Sequence, residues 1–121
     1  MSIFVRSYTV RASAALTGAA TTYGTEFDVS DVDELNLFIV LTAQGSYTNE
    51  TLDVSVQTKD PAGNWHDVAS AAFTQLGNKG GTASEHIAIT TFGSKLRLKY
   101  ISAGNTPNYT FSVTAYGKGT V

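Results

Sequence analysis

From Leu52 to Thr58 the side chains alternate. Leu52, Val54, Val56 and Thr58 take one side, and Asp53, Ser55 and Gln57 the other. A period of two belongs to a strand with one buried and one wet face. The alternation stops at Lys59-Asp-Pro-Ala-Gly-Asn64. Pro61 presets φ and Gly63 tolerates φ > 0, so this segment is a turn. The chain then returns through Trp65 and Val68, which completes a β-hairpin read from local chemistry.

The same grammar recurs along most of the chain. Ile3 to Val10 is a first strand with Phe4, Arg6, Tyr8 and Val10 on one face and Ile3, Val5, Ser7 and Thr9 on the other. Neither face is cleanly apolar, which suits an edge strand or an arm that pairs with a partner. Ala12 to Gly24 is rich in Ala, Thr, Ser and Gly. It reads as a loose connection with room for one short strand, because Gly18 and the Thr21-Thr22 pair disfavour a helix. Phe27 to Glu34 is acidic and turn-like. In Leu35 to Thr42, Leu35, Leu37, Ile39 and Leu41 share one face, and Asn36, Phe38, Val40 and Thr42 the other. Both faces are substantially apolar, which predicts a central strand.

Beyond the hairpin come Ala71 to Leu76, a turn at Gly77-Asn-Lys-Gly-Gly81, and an alternating stretch from Ser84 to Thr90. Leu96, Leu98, Tyr100 and Ser102 then oppose Lys95, Arg97, Lys99 and Ile101. A turn at Ala103 to Pro107 leads to a last strand, Tyr109 to Tyr116. The count is about seven or eight short strands with turn signals roughly every 8–12 residues. The fold class is therefore all-β: an antiparallel β-sandwich, jelly-roll by preference, with an N-terminal arm or edge strand. An immunoglobulin-like Greek key competes, and the pattern alone does not separate the two. The expected core is Leu37, Ile39, Leu41, Val54, Val56, Leu98, Phe111 and Val113.

At 121 residues the chain suits a single domain, with 1–24 as arm and connection and 25–121 as the sandwich body. Charged residues are only 15% of the chain, so Thr, Ser, Gly and Asn must furnish the polar faces. A net charge of -2, with basic residues scattered, gives no footprint for nucleic acid. The absence of cysteine removes disulfides, thiolate metal sites and a Cys nucleophile. No apolar run approaches a membrane span, and the N-terminus has no continuous apolar signal region, so a soluble chain is expected.

Candidate chemistry is sparse. His66 lies beside Asp67 and near Asp60, but no nucleophile motif accompanies the pair, and an exposed strand end is the better reading. Asp28, Asp31, Asp33 and Glu34 cluster without any EF-hand spacing, so an acidic turn is preferred over a calcium loop. Trp65, with Tyr47 and Tyr109, could form a platform for a sugar ring, although a single Trp after a hairpin more often packs. Lys95, Arg97 and Lys99 form a basic stripe on one strand face, an ordinary solvated pattern that also guards an edge. The sequons at Asn49 and Asn108 are of a kind that arises by chance in a Thr- and Asn-rich chain. No catalytic, cofactor or metal residue is assigned, and an enzyme is not expected.

The block Leu52 to Val68, with its "NWHDVA" return strand, followed by Phe73-Thr-Gln-Leu76, resembles small virion proteins of tailed bacteriophages. The C-terminal "LRLKYISAGNTPNYTFSVTAYGKG" fits the same pattern, and the resemblance spans about Phe27 to Lys118. Among such proteins it points to capsid decoration, or cement, proteins. That resemblance implies a jelly-roll or β-sandwich subunit, often trimeric, on the outer capsid surface, with the major capsid protein as partner. A carbohydrate- or receptor-binding module on a phage tail or fibre is the alternative. On the decoration reading Ile3, Phe4, Val5, Tyr8 and Val10 are the expected partner-binding residues, because a strand apolar on both sides wants cover on both sides.

Overall fold

The computed structural model describes residues 2–45, 49–77 and 82–120. Its strands are β1 (Ile3–Thr17), β2 (Ala20–Tyr23), β3 (Phe27–Asp28), β4 (Glu34–Gln44), β5 (Thr51–Lys59), β6 (Trp65–Ala72), β7 (Ala83–Ile89), β8 (Lys95–Ala103) and β9 (Asn108–Thr120). They form two antiparallel sheets. The first has the order β1-β9-β4-β7, and the second β2-β8-β5-β6, with β3 also paired to β8. If β2 and β3 are taken as one interrupted edge strand, every connection except the β5–β6 hairpin crosses between sheets. That connectivity is a jelly roll. The last strand, β9, lies between β1 and β4, so the fold closes only when the C-terminal strand arrives.

The alternation seen in the sequence sets which side chains meet between the sheets. Leu35, Leu37, Ile39 and Leu41 of β4 face Leu52, Val54 and Val56 of β5 and Leu96, Leu98 and Tyr100 of β8, all buried. Each of the eight expected core residues is at most 2% exposed. Val29 and Val32, from the acidic segment read as a turn, also join the core.

The β5–β6 hairpin turns as its residues dictate. Gly63 N–H donates to the Asp60 carbonyl at 3.0 Å, and Gly63 has φ +93°. Asp60 Oδ1 accepts from the Ala62 and Asn64 amides at 2.9 and 2.8 Å. Its Oδ2 lies 2.8 Å from His66 Nε2. These bonds, His66 first, hold the Asp60 carboxyl down at about 2. The His66–Asp60 pair is thus a brace for the turn.

The N-terminal segment differs from expectation. The stretch from Ala12 to Thr17 is not a loose connection but the second half of β1, which pairs with β9 from Ile3↔Thr120 to Thr17↔Asn108. The register shifts between Thr9 and Arg11 and again between Arg11 and Ala14, so β1 carries an extra residue at each place. Every bulge inverts the alternation that follows it. That is why the period of two dissolves in the sequence although the strand continues. Of the two forms expected, the structure has the edge strand and not the arm.

Candidate functional site

The register of the first sheet decides what its outer face presents. Residues paired across strands point the same way. Val5 pairs with Lys118, Ser7 with Tyr116, Tyr116 with Asn36, and Phe38 with His86. Since Leu35, Leu37 and Ile39 point inward, this set points outward. The Phe38 and His86 rings stack with centroids 4.8 Å apart, and Tyr116 stands edge-on to Phe38 at 6.0 Å and 81°. His86 Nε2 lies 3.1 Å from Asn36 Oδ1, which fixes the imidazole against the sheet. Together with Val5 and Lys118 these side chains surround a shallow depression of ≈ 400 Å³.

Large apolar side chains are exposed at Ile3 (74%), Val5 (59%), Tyr116 (50%), Tyr23, Val40 and Ile101. Ile3, Val5, Tyr116 and Val40 all lie on this one face. Scattered exposed apolar residues are ordinary, but four of the six exposed large apolar side chains among the described residues share this one sheet face. Its only close charge pair, Lys118 Nζ to Glu34 Oε1 at 4.0 Å, lies at its margin among the described residues.

The outer face of the second sheet is different. Arg97 lies between two rings, 4.0 Å from the Tyr23 centroid and 4.4 Å from that of Trp65. Its Nε donates to Gln57 Oε1 at 2.9 Å, and Gln57 Nε2 donates to Asp67 Oδ1 at 3.0 Å. Lys59 also covers Trp65, 5.6 Å from the ring centroid. The basic stripe is therefore neutralised in place: Lys95 pairs with Asp28 at 2.9 Å and Lys99 with Asp67 at 3.8 Å. The pairing with Lys95, after the hydrogen bond from the Ser30 hydroxyl, holds the Asp28 carboxyl well below the usual carboxylate range.

The expected partner-binding residues divide by face. Ile3 and Val5 are exposed on the outer face of the first sheet. Tyr8 and Val10 instead pack against the core, and Tyr8 lies 5.5 Å from the Phe27 ring. Phe4 is partly buried over Gly119, where an added Cβ would lie 2.6 Å from its ring. The strand is apolar on both sides because one side already belongs to the core.

The sugar platform is not assembled from the residues expected for it. Tyr109 is fully buried, with its hydroxyl 3.3 Å from the Leu76 carbonyl. Trp65 is half-buried on edge strand β6 beneath Arg97 and Lys59. Tyr47 lies outside the described residues. In the acidic segment the carboxylates point to separate partners: Asp28 to Lys95, Asp31 to Arg6 at 2.6 Å, Asp33 to Thr120 at 3.4 Å, and Glu34 to Lys118.

Sequence reasoning put Phe38 on a second apolar face of its strand and placed His86 and Tyr116 in alternating strands, but did not group the three. The signal was present in their parity. What was missing was the neighbour relation β9-β4-β7, which joins strands remote in sequence.

No family model matches the chain, and no curated protein matches its sequence. Solved structures share its fold. A chain of infectious bursal disease virus, Gx strain, superposes with a TM-score of 0.66 at 13% identity, over 98% of this chain and 33% of that one. The prophage-derived protein YomS of SPBc2 matches at 0.54 and 14% identity, over 98% and 96% of the two chains. Tailspike protein 4 of bacteriophage CBA120 matches at 0.55 and 10% identity, over 98% and 19%. The chain thus spans about a third of the length of the virus chain. The class these comparisons define is a jelly-roll β-sandwich found in virus and phage proteins.

Proposed function

We propose that this chain is a structural protein of a bacteriophage particle, a capsid decoration (cement) protein on the capsid exterior. In this reading it works by contact and not by catalysis. It binds across neighbouring major capsid protein subunits and stabilises the assembled shell by mass action, because it binds the assembled state in preference to the dissociated one. Many copies on a symmetric lattice add avidity, and the free protein is a homotrimer.

The observation that carries the reading is the outer face of the first sheet. Val5, Phe38, Val40 and Tyr116 are held there on rigid strands, with little charge between them. Such a patch gains by burial against another protein. Its edge-on Tyr116 makes the surface corrugated, which suits interdigitating side chains better than a flat sugar ring.

The test is to strip particles of this chain and add it back. Re-decorated particles should retain their DNA to a higher temperature than stripped ones. Equal release temperatures, or absence of the chain from gradient-purified particles, would overturn the reading.

A further inference from the structure

The open side of the sandwich, between edge strands β1 and β2, holds a second feature that shares no residue with the aromatic face. A cleft of ≈ 490 Å³ runs there, lined by Val10, Arg11, Leu16, Thr22, Tyr23 and Tyr100 among others. Arg11 pairs with Val113 and Thr22 with Tyr100, so both project inward, one from each sheet. The Arg11 guanidinium lies over the rings of Phe111 and Tyr100, with Cζ at 4.2 and 5.2 Å from their centroids. Its Nη2 donates to the Ala14 carbonyl at 3.0 Å. Its Nε, however, is buried without a hydrogen-bond partner, and so is the Thr22 hydroxyl.

Arg11 and Thr22 both line one cleft, and a buried polar atom without a partner is not an ordinary feature of a folded interior. The charge is also uncompensated. Arg6, Lys59, Lys95, Lys99 and Lys118 each have a carboxylate within 4.0 Å. Arg97 is closed between two rings. Among the described residues no carboxylate lies that close to Arg11, and none lines the cleft. Burial raises the Tyr100 hydroxyl above its usual range, and the Arg11 charge and a hydrogen bond with the Arg11 side chain oppose that shift.

We propose that the β1–β2 cleft is a carboxylate-binding site, with Arg11 supplying the charged N–H donors and Thr22 a hydroxyl donor. A single cation calls for a single negative charge, and the planar guanidinium matches the planar carboxylate. A phosphate dianion would bring a second negative charge, for which the cleft lining has no second cation. Val10, Leu16 and Tyr100 offer apolar walls to the body that carries the carboxylate. That body is either a free small acid or an acidic side chain of a polypeptide.

The full chain, labelled with ¹⁵N, should be titrated with sodium acetate, and in parallel with acetamide and sodium chloride. The Arg11 Nε–Hε signal should shift saturably with acetate alone. Thr22→Val, which keeps the side-chain shape, should weaken acetate binding at least threefold, and Arg11→Met should abolish it. A titration with acetyl-Ala-Glu-Ala-amide separates the sources. Tighter binding than acetate assigns a polypeptide carboxylate, and weaker binding a free acid. No saturable shift, an equal response to chloride or acetamide, or unchanged affinity in Thr22→Val would overturn the site.

Discussion

Ile39 is 1% exposed and sits on β4 between β9 and β7. Truncating Ile39→Ala leaves a cavity that flanking strands cannot readily close, so unfolding should become easier by about 2–5 kcal/mol. Urea denaturation measures this directly. Gly104 meets a different constraint. Its φ is +110°, and a Cβ there would lie 2.7 Å from the Glu50 Cα, a backbone atom that cannot swing away. Gly104→Ala should therefore destabilise through conformation and overlap together. Asp60 makes a pH prediction. Its folded carboxyl is held at about 2, below the ordinary 3.8, so its contribution is fully present above the ordinary value. As pH falls from about 4 to 2 that contribution is lost, and the denaturation midpoint should drop. Asp60→Asn should flatten this part of the acid limb relative to the parent chain. At this scale the sequence was highly legible wherever a strand alternated regularly. It was less so for Val29 and Val32, whose burial depends on how the acidic segment folds back over the sandwich end.

Among the elements, β1 was the least legible, and its two bulges are the physical reason. A regular strand announces itself by period, whereas a strand with two inserted residues presents three short and mutually inverted patterns. The hairpin β5–β6 was read correctly because Asp60, Pro61 and Gly63 define their turn locally. β1 has no such local determinant; its partner is β9, at the other end of the chain. Removing Ser2 to Arg11 would strip the edge of β9 and uncover the seats of Tyr8 and Val10. The truncated chain should therefore be insoluble or unfolded by circular dichroism. The outward positions are separable from this role. Val5→Ser and Tyr116→Ser should leave the folded signal and denaturation midpoint close to those of the parent, since both side chains point away from the core. A folded, soluble truncation product would show that β1 is dispensable to the domain.

For the molecule as a whole, the sandwich class followed from strand count and turn spacing, but the jelly-roll order did not. Parity told which residues share a face; only the order β1-β9-β4-β7 told which faces combine. The aromatic face therefore emerged only with the tertiary structure. The proposed trimer is checked by sedimentation of the isolated chain at micromolar concentration. A trimer is expected, and a monomer that stays monomeric on the particle would contradict it. On the proposed function, the outer face of the first sheet is where this protein meets its neighbours. Cryo-electron microscopy of the particle that carries it, at side-chain resolution, tests this most directly. Val5, Phe38, His86 and Tyr116 should be buried against a neighbouring subunit on the capsid exterior. The same four side chains open to solvent, with the protein attached through another surface, would contradict it.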